Sequence, residues 1–390
     1  MALSFTQEAT PLNMAQSPIP YTLSESGDVI TSSSFQYVLD LYYWSGDTGD
    51  KPSSPNYTLV KYPNESGVGI FDVSRILNST LTDLLEANPS NLKFADAEGY
   101  WQYFDGTQYV TGSHIVAGTV SYIDGYSVFQ EPISQSFSEK TPHWPLMTDG
   151  PATQSAFDFN SGMAGVYRGG NDGGTLPVSE IIYTSNLGNT TYTITGSTLS
   201  SQQIRQYPIG PSDPEFPLPT TGLEWFTTQA QFAGYLPLGE PIRYNLTCNQ
   251  KYPNIRIKWK NRYGQFDFFN FNMVNRQSFS VNRSVYEPQI GTWGGNTLTY
   301  NGYDSNNVNY LVDSEEAIQV NTDWVDEVYN DIFKQLLMSD EIYWIYDEEN
   351  SLVRPLTIAT SNLQFKTGVV DKVIQYAFDF KYGQTYKLTI

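Results

Sequence analysis

The chain has 390 residues, 39% of them hydrophobic and only 16% charged, and carries a net charge of -20. A chain of this size holds two or three domains. Its acidity excludes nucleic-acid binding through a general basic surface and argues against an anionic membrane as partner. Tyr (29) and Phe (21) supply most of the 15% aromatic share. With abundant Thr, Ser, Asn and Gly, that is the composition of strands and turns.

Residues 1–17 are polar and without periodicity, and read as an extended N-terminal arm. They lack the basic start and apolar core of a signal peptide, so synthesis in a cytoplasm is expected. Residues 18–130 are expected to form a β-sandwich-like domain. Phe35, Tyr37, Leu39, Leu41 and Tyr43 share one face of a long strand, since successive side chains point to opposite sides. Val73, Ile76, Leu77, Leu81, Leu84 and Leu85 recur at helical spacing. Strands resume from Leu92, with turns at Gly106 and Asp124-Gly125.

Residues 131–233 read as a loop-rich insertion ending in a Pro-rich connector, with one hairpin near 181–194. Residues 234–390 read as an α+β domain in which one helix lies on an antiparallel sheet. In that helix Val325, Val328, Ile332, Phe333, Leu336 and Leu337 form the apolar face. Thr322 or Asp323 is its expected cap, with Asp326 and Glu327 in the first turn. Ile374, Tyr376, Phe378, Phe380 and Tyr382 share a face of the last strand. The fold class expected is therefore mainly β, with a sandwich-like first domain, a long irregular excursion and a C-terminal α+β domain.

The most informative stretch is NIRIKWKNRYGQFDFFNF at 254–271. Ile255, Ile257 and Trp259 alternate with Arg256, Lys258 and Lys260, which predicts a half-buried strand with its cations on the outward face. Asn261 to Gly264 reads as a turn, with Gly264 free to take positive φ. The pair Phe268-Phe269 breaks alternation, which predicts a bulge or a strand covered on both faces.

Catalytic signatures are missing. His114 and His143 stand apart, with no second His, Cys or acid at metal spacing. The single cysteine, Cys248, excludes a disulfide framework and a thiolate zinc site. The Gly-rich run around Asp172 lacks the ligand series of an EF-hand. Asp347, Glu348 and Glu349 read as a solvated turn rather than a glycosidase pair. Trp101, Tyr103 and Trp293 would suit sugar stacking if exposed, although aromatics at strand period are mostly core. No enzyme activity, cofactor or metal is expected.

The stretch WKNRYGQFDFFNF at 259–271 resembles a strand-turn-strand signature of virion and tail proteins of tailed bacteriophages. SDEIYWI at 339–345, RPLTI at 354–358 and KVIQYAFDF at 372–380 are similar in the same way, as are SPIPY, FQYVLDLY and GIFDVSRIL near the N-terminus. The resemblance implies a baseplate, tail-tip or collar component of the virion, working as a ring or sleeve with copies of itself and other virion proteins. It transfers no active-site residue. A carbohydrate- or receptor-binding module and a capsid decoration protein are the alternatives. For the ring, the expected subunit interface joins Arg256, Lys258 and Lys260 of one copy to Asp323, Asp326 and Glu327 of the next; the alternative is that the basic hairpin pairs with acids inside its own domain or is simply solvated.

Overall fold

A computed structural model describes residues 3–46, 48–81, 92–127, 142–167, 178–194, 204–231, 237–247, 251–299, 301–349, 352–366, 374–384 and 387–389. Leu84, Leu85, Cys248, the Gly-rich run around Asp172 and the side chain of Trp293 lie outside what is described. The chain is mainly β, and it divides into two compact units. Unit 1 comprises residues 1–247 and 260–267; unit 2 comprises 248–259 and 268–390.

Unit 1 opens as a sandwich. A three-stranded sheet orders Ser4–Gln7, Pro20–Ser24 and Val68–Asp72. A seven-stranded sheet centres on Gln36–Trp44 and Leu92–Phe104, paired antiparallel. Between the sheets lies an aromatic and aliphatic core that includes Tyr21, Leu23, Tyr37, Leu39, Leu41 and Phe71, each almost fully buried. The alternation Phe35, Tyr37, Leu39, Leu41 is thus the inward face, as its period requires. Its even positions are covered too. Tyr42 and Trp44 join Phe94, Met147, Tyr167, Ile204 and Tyr263 in a second cluster on the opposite face. Strand Gln36–Trp44 is central and buried on both sides, which a period-two pattern alone does not reveal.

The N-terminal stretch is extended but not a free arm. Ser4–Gln7 pairs antiparallel with Pro20–Ser24, and Leu12–Met14 pairs parallel with Val120–Ile123. Leu3, Met14 and Ala15 are buried. Their apolar side chains give this polar segment enough burial to hold it within its own unit. The first helix is short, Ser74–Asn78, with Val73 and Leu77 fully buried.

The stretch expected to be an irregular excursion contributes four strands to a five-stranded sheet in the order Thr153–Ala156, Pro237–Leu246, Trp225–Gln231, Glu180–Ser185, Gly188–Thr193. The expected boundary at 233/234 falls between two antiparallel partners of this sheet, Trp225–Gln231 and Pro237–Leu246. Strand Pro237–Leu246 therefore belongs to unit 1. Mixed polar and β-branched sequence hides these strands, because the polar members face water.

Unit 2 is the α+β body. Its eight-stranded sheet runs from Phe266–Phe271 through Ile255–Lys260, Ile342–Asp347, Leu352–Ile358, Ala377–Tyr382 and Val308–Asn321 to Arg276–Tyr286, and the eighth strand, Lys387–Thr389, also pairs with Val308–Asn321. Helix Asn330–Met338 lays Ile332, Phe333 and Leu336 against one face, where they meet Ile257, Trp259, Phe271, Phe378 and Phe380. The ring of Phe333 stands edge-on to Phe269 and Tyr376 at centroid distances of 5.1 and 5.5 Å. Ile374, Tyr376, Phe378, Phe380 and Tyr382 are all buried, as their spacing predicts.

The helix begins later than its apolar pattern suggests. A 3-10 turn at Glu327–Tyr329 precedes it, and Tyr329 is the N-cap with no side-chain capping bond. Thr322 and Asp323 do not cap it. Val325 forms a β-bridge to Ile374 instead, and Val328 is exposed. The buried Thr322 hydroxyl accepts a hydrogen bond from the Tyr376 amide at 2.9 Å, which holds this segment to the sheet.

Candidate assembly surfaces

Two of the three cations of the expected interface are buried. Arg256 is 4% exposed and Lys260 7%. The alternation correctly separates Ile255, Ile257 and Trp259 from the cations, but the second face of this strand is covered as well. In unit 2 the Arg256 guanidinium lies 4.7 Å from the Phe268 ring centroid, and its Nη1 sits 3.3 Å from Glu348 Oε2. Burying a guanidinium requires such partners, because an unpaired charge out of water is prohibitively unfavourable. Glu348, expected to be solvated, is thereby a structural counter-ion. Lys258 is half-buried, with its ammonium 5.5 Å from the Tyr343 ring. Desolvation pushes its pKa down, the nearby Arg256 charge pushes it further, and Glu341 partly restores it. Phe268 under Arg256 and Phe269 in the core account for the broken alternation: both faces of their strand are covered.

Lys260 and the turn that follows belong to unit 1. Asn261 folds the tip locally. Its Oδ1 accepts from the amides of Tyr263 and Gln265 at 3.0 Å each, while its Nδ2 donates to the Met147 carbonyl at 2.9 Å. Such self-bonding is why Asn initiates turns. Gly264 takes φ +69°, as its place in the turn predicts. The side chains then lock in. Lys260 pairs with Asp124 at 2.7 Å; Arg262 Nη2 and the Tyr263 hydroxyl both donate to Asp149 Oδ1, at 3.2 and 2.7 Å. Burial first, and then the Asp149 charge, raise the Tyr263 pKa, so this phenol remains a donor. Sequence reasoning missed this tip network, because its partners Asp124, Met147 and Asp149 lie more than a hundred residues away.

Asp267 joins the network through Asn261. Asp267 keeps part of its surface at solvent, but its Oδ2 is enclosed and has no hydrogen-bond partner. Desolvation raises its pKa to about 7, against the opposing hydrogen bonds of Thr148 and Asn261, and the Asp149 charge adds to the rise.

The acidic half of the expected interface is on the surface. Asp323, Asp326 and Glu327 are exposed in unit 2. Trp324 follows the first of them and Val328 the last, each 60% exposed. The Asp323 carboxylate accepts from the Trp324 amide at 2.7 Å, which fixes the local turn. Spacing found the acids but missed the two large exposed apolar groups in the same segment, since Val328 was expected in the core.

The residues considered for chemistry have structural settings. Buried His143 makes a 3.0 Å hydrogen bond through Nδ1 with the Glu240 carbonyl oxygen. His114 stacks on Tyr100 at 4.2 Å, beside Glu98. Trp101 and Tyr103 stack together at 6.0 Å and pack against the sandwich core, leaving neither ring fully open to a sugar. A Cβ added at Gly112 would lie 2.3 Å from the Trp101 ring, so the indole is covered by backbone. Among the described residues no group of three His, Cys, Asp or Glu is placed to hold a metal ion, and no helix is long and apolar enough to cross a membrane.

No protein-family model matches the chain, and no curated protein matches it.

Proposed function

We propose that this chain is a structural component of a bacteriophage virion, of tail, baseplate or collar type, and that it acts by assembly rather than by catalysis. The observation that supports the reading best is the surface of unit 2 around Trp324. A large exposed aromatic and an exposed valine within six residues that also carry exposed Asp323, Asp326 and Glu327 offer the apolar anchor and polar groups that a protein-binding surface uses. Its partner, a virion protein or a second copy, would present an apolar pocket bordered by basic residues. Arg256 and Lys260 do not supply that border, since both are buried.

The test is direct. Antibody-gold labelling and electron microscopy of phage particles should place the chain on the tail or collar. Trp324→Ala and the triple Asp323→Lys, Asp326→Lys, Glu327→Lys variant should each leave the fold intact yet fail to enter particles. Normal incorporation of both variants, or absence of the wild-type chain from purified particles, defeats the reading. Binding on a glycan array that survives these substitutions would favour the receptor-module alternative.

A further inference from the structure

A second surface of unit 2 is independent of the virion reading. Strand Arg276–Tyr286 ends the eight-stranded sheet. Among the described residues its strand partner is Val308–Asn321 and no second strand pairs with its other edge. Every one of its residues is exposed or half-buried. The irregularity in this pairing skips Tyr310, so the extra residue lies in the partner and not in the edge strand.

An open edge is a row of free amides and carbonyls that templates another strand. Natural edges are commonly blunted by proline, by lysine or by a bulge in the edge strand. The sequence RQSFSVNRSVY has no proline and no lysine, and its bulge lies in the neighbour. Phe279, Val281 and Val285 fall on one face of it, with Phe279 59% exposed.

The sequence is also complementary to itself. When two antiparallel copies meet with Val281 opposite Val281, Phe279 of each stands opposite Arg283 of the other. Arg276 stands opposite Tyr286, Ser278 opposite Ser284, and Ser280 opposite Asn282. Directly opposed residues share a face, so each guanidinium meets an aromatic ring and no two cations meet. Sliding one copy by two residues removes both kinds of cation–aromatic pair. A parallel, in-register arrangement sets Arg276 and Arg283 against their own copies.

We infer that this edge strand pairs antiparallel with the same strand of a second copy, about a two-fold axis at Val281, joining the two sheets into one. Such a contact is isologous, each copy offering the same patch. It adds main-chain hydrogen bonds by strand augmentation, and the alternating side chains set the register.

The test uses the full-length chain with Cys248→Ser. Adding Val281→Cys should give a disulfide-linked dimer on mild oxidation, because position 281 meets itself. Adding Gln277→Cys instead should not, because position 277 meets 285. Sedimentation velocity should show a dimer whose dissociation constant rises at least tenfold with Val281→Lys, which places two ammonium groups on the axis. Arg283→Glu should weaken it, and Phe279→Lys added to Arg283→Glu should restore it by setting Lys against Glu. Circular dichroism checks that each variant is folded. Should Val281→Lys unfold the chain, the Phe279 and Arg283 exchange decides alone. The inference is overturned by a wild-type chain that stays monomeric at all concentrations. Equally fatal are a dimer without the 281 cross-link and a dimer insensitive to both sets of charge changes.

Discussion

Lys260 Nζ lies 2.7 Å from Asp124 Oδ2 in unit 1, both side chains are buried, and Gln16 Nε2 donates to the other oxygen of the same carboxylate at 2.9 Å. A lysine that a strand pattern points toward water is thus a buried structural cation. Removing it leaves Asp124 charged and short of a partner. Lys260→Ala is expected to lower stability by about 3–5 kcal/mol, the range for breaking a buried ion pair from one side. Urea unfolding measures this. Lys260→Met combined with Asp124→Asn should lose less than the sum of the single changes, since the two groups are coupled.

Arg256 makes the parallel case in unit 2. Its charge is held by Glu348 and the Phe268 ring. Arg256→Glu would face Glu348 with a like charge and should lower the unfolding midpoint of the isolated chain, seen by circular dichroism. A change that altered only association and left the melting curve unmoved would return this residue to the surface.

Asp267 should make stability fall with rising pH. Its folded pKa, about 7, lies above the ordinary carboxylate value of 3.8. The folded state therefore holds a proton that the unfolded state has lost. The contribution is fully present below about pH 4, declines as pH rises toward 7, and is absent above it. Asp267→Asn mimics the protonated form. Relative to wild type it should be neutral near pH 4 and stabilising at pH 8. Paired denaturation curves at the two pH values isolate this group from the other carboxylates.

Gly264→Ala tests the turn. The residue sits at φ +69°, and a Cβ there would lie 1.8 Å from the Asp124 carbonyl oxygen. The backbone conformation alone disfavours alanine by about 1–3 kcal/mol, and the clash with backbone adds to it. Calorimetry should record a lower melting temperature, together with loss of near-UV signal from Tyr263.

Leu336→Ala opens the face of helix Asn330–Met338 that meets the sheet. Leu336 is fully buried among Phe333, Ile257 and their neighbours. A loss of about 2–5 kcal/mol is expected for truncating such a side chain. Val328→Ala, at an exposed position before the helix, should change stability by less than about 0.5 kcal/mol. Thermal melts of the two variants should differ clearly.

What the sequence determined by itself was local. Period-two alternation located the strand faces around Tyr37, Ile257 and Phe378, and helical spacing located Ile332, Phe333 and Leu336. Turn chemistry located Asn261 and Gly264. These follow from backbone geometry, which repeats every two or 3.6 residues wherever it occurs. Only the tertiary structure decided what covers each face. It set Asp124 against Lys260 and Glu348 against Arg256, across separations of more than ninety residues in each case. It turned two cations of an outward-facing row, Arg256 and Lys260, into buried ion pairs, drew the N-terminal stretch into two sheets, and left Trp324 and the edge strand at Phe279 in the open. Alternation distinguishes two sides of a strand, but whether the second side meets water depends on which distant segment packs there.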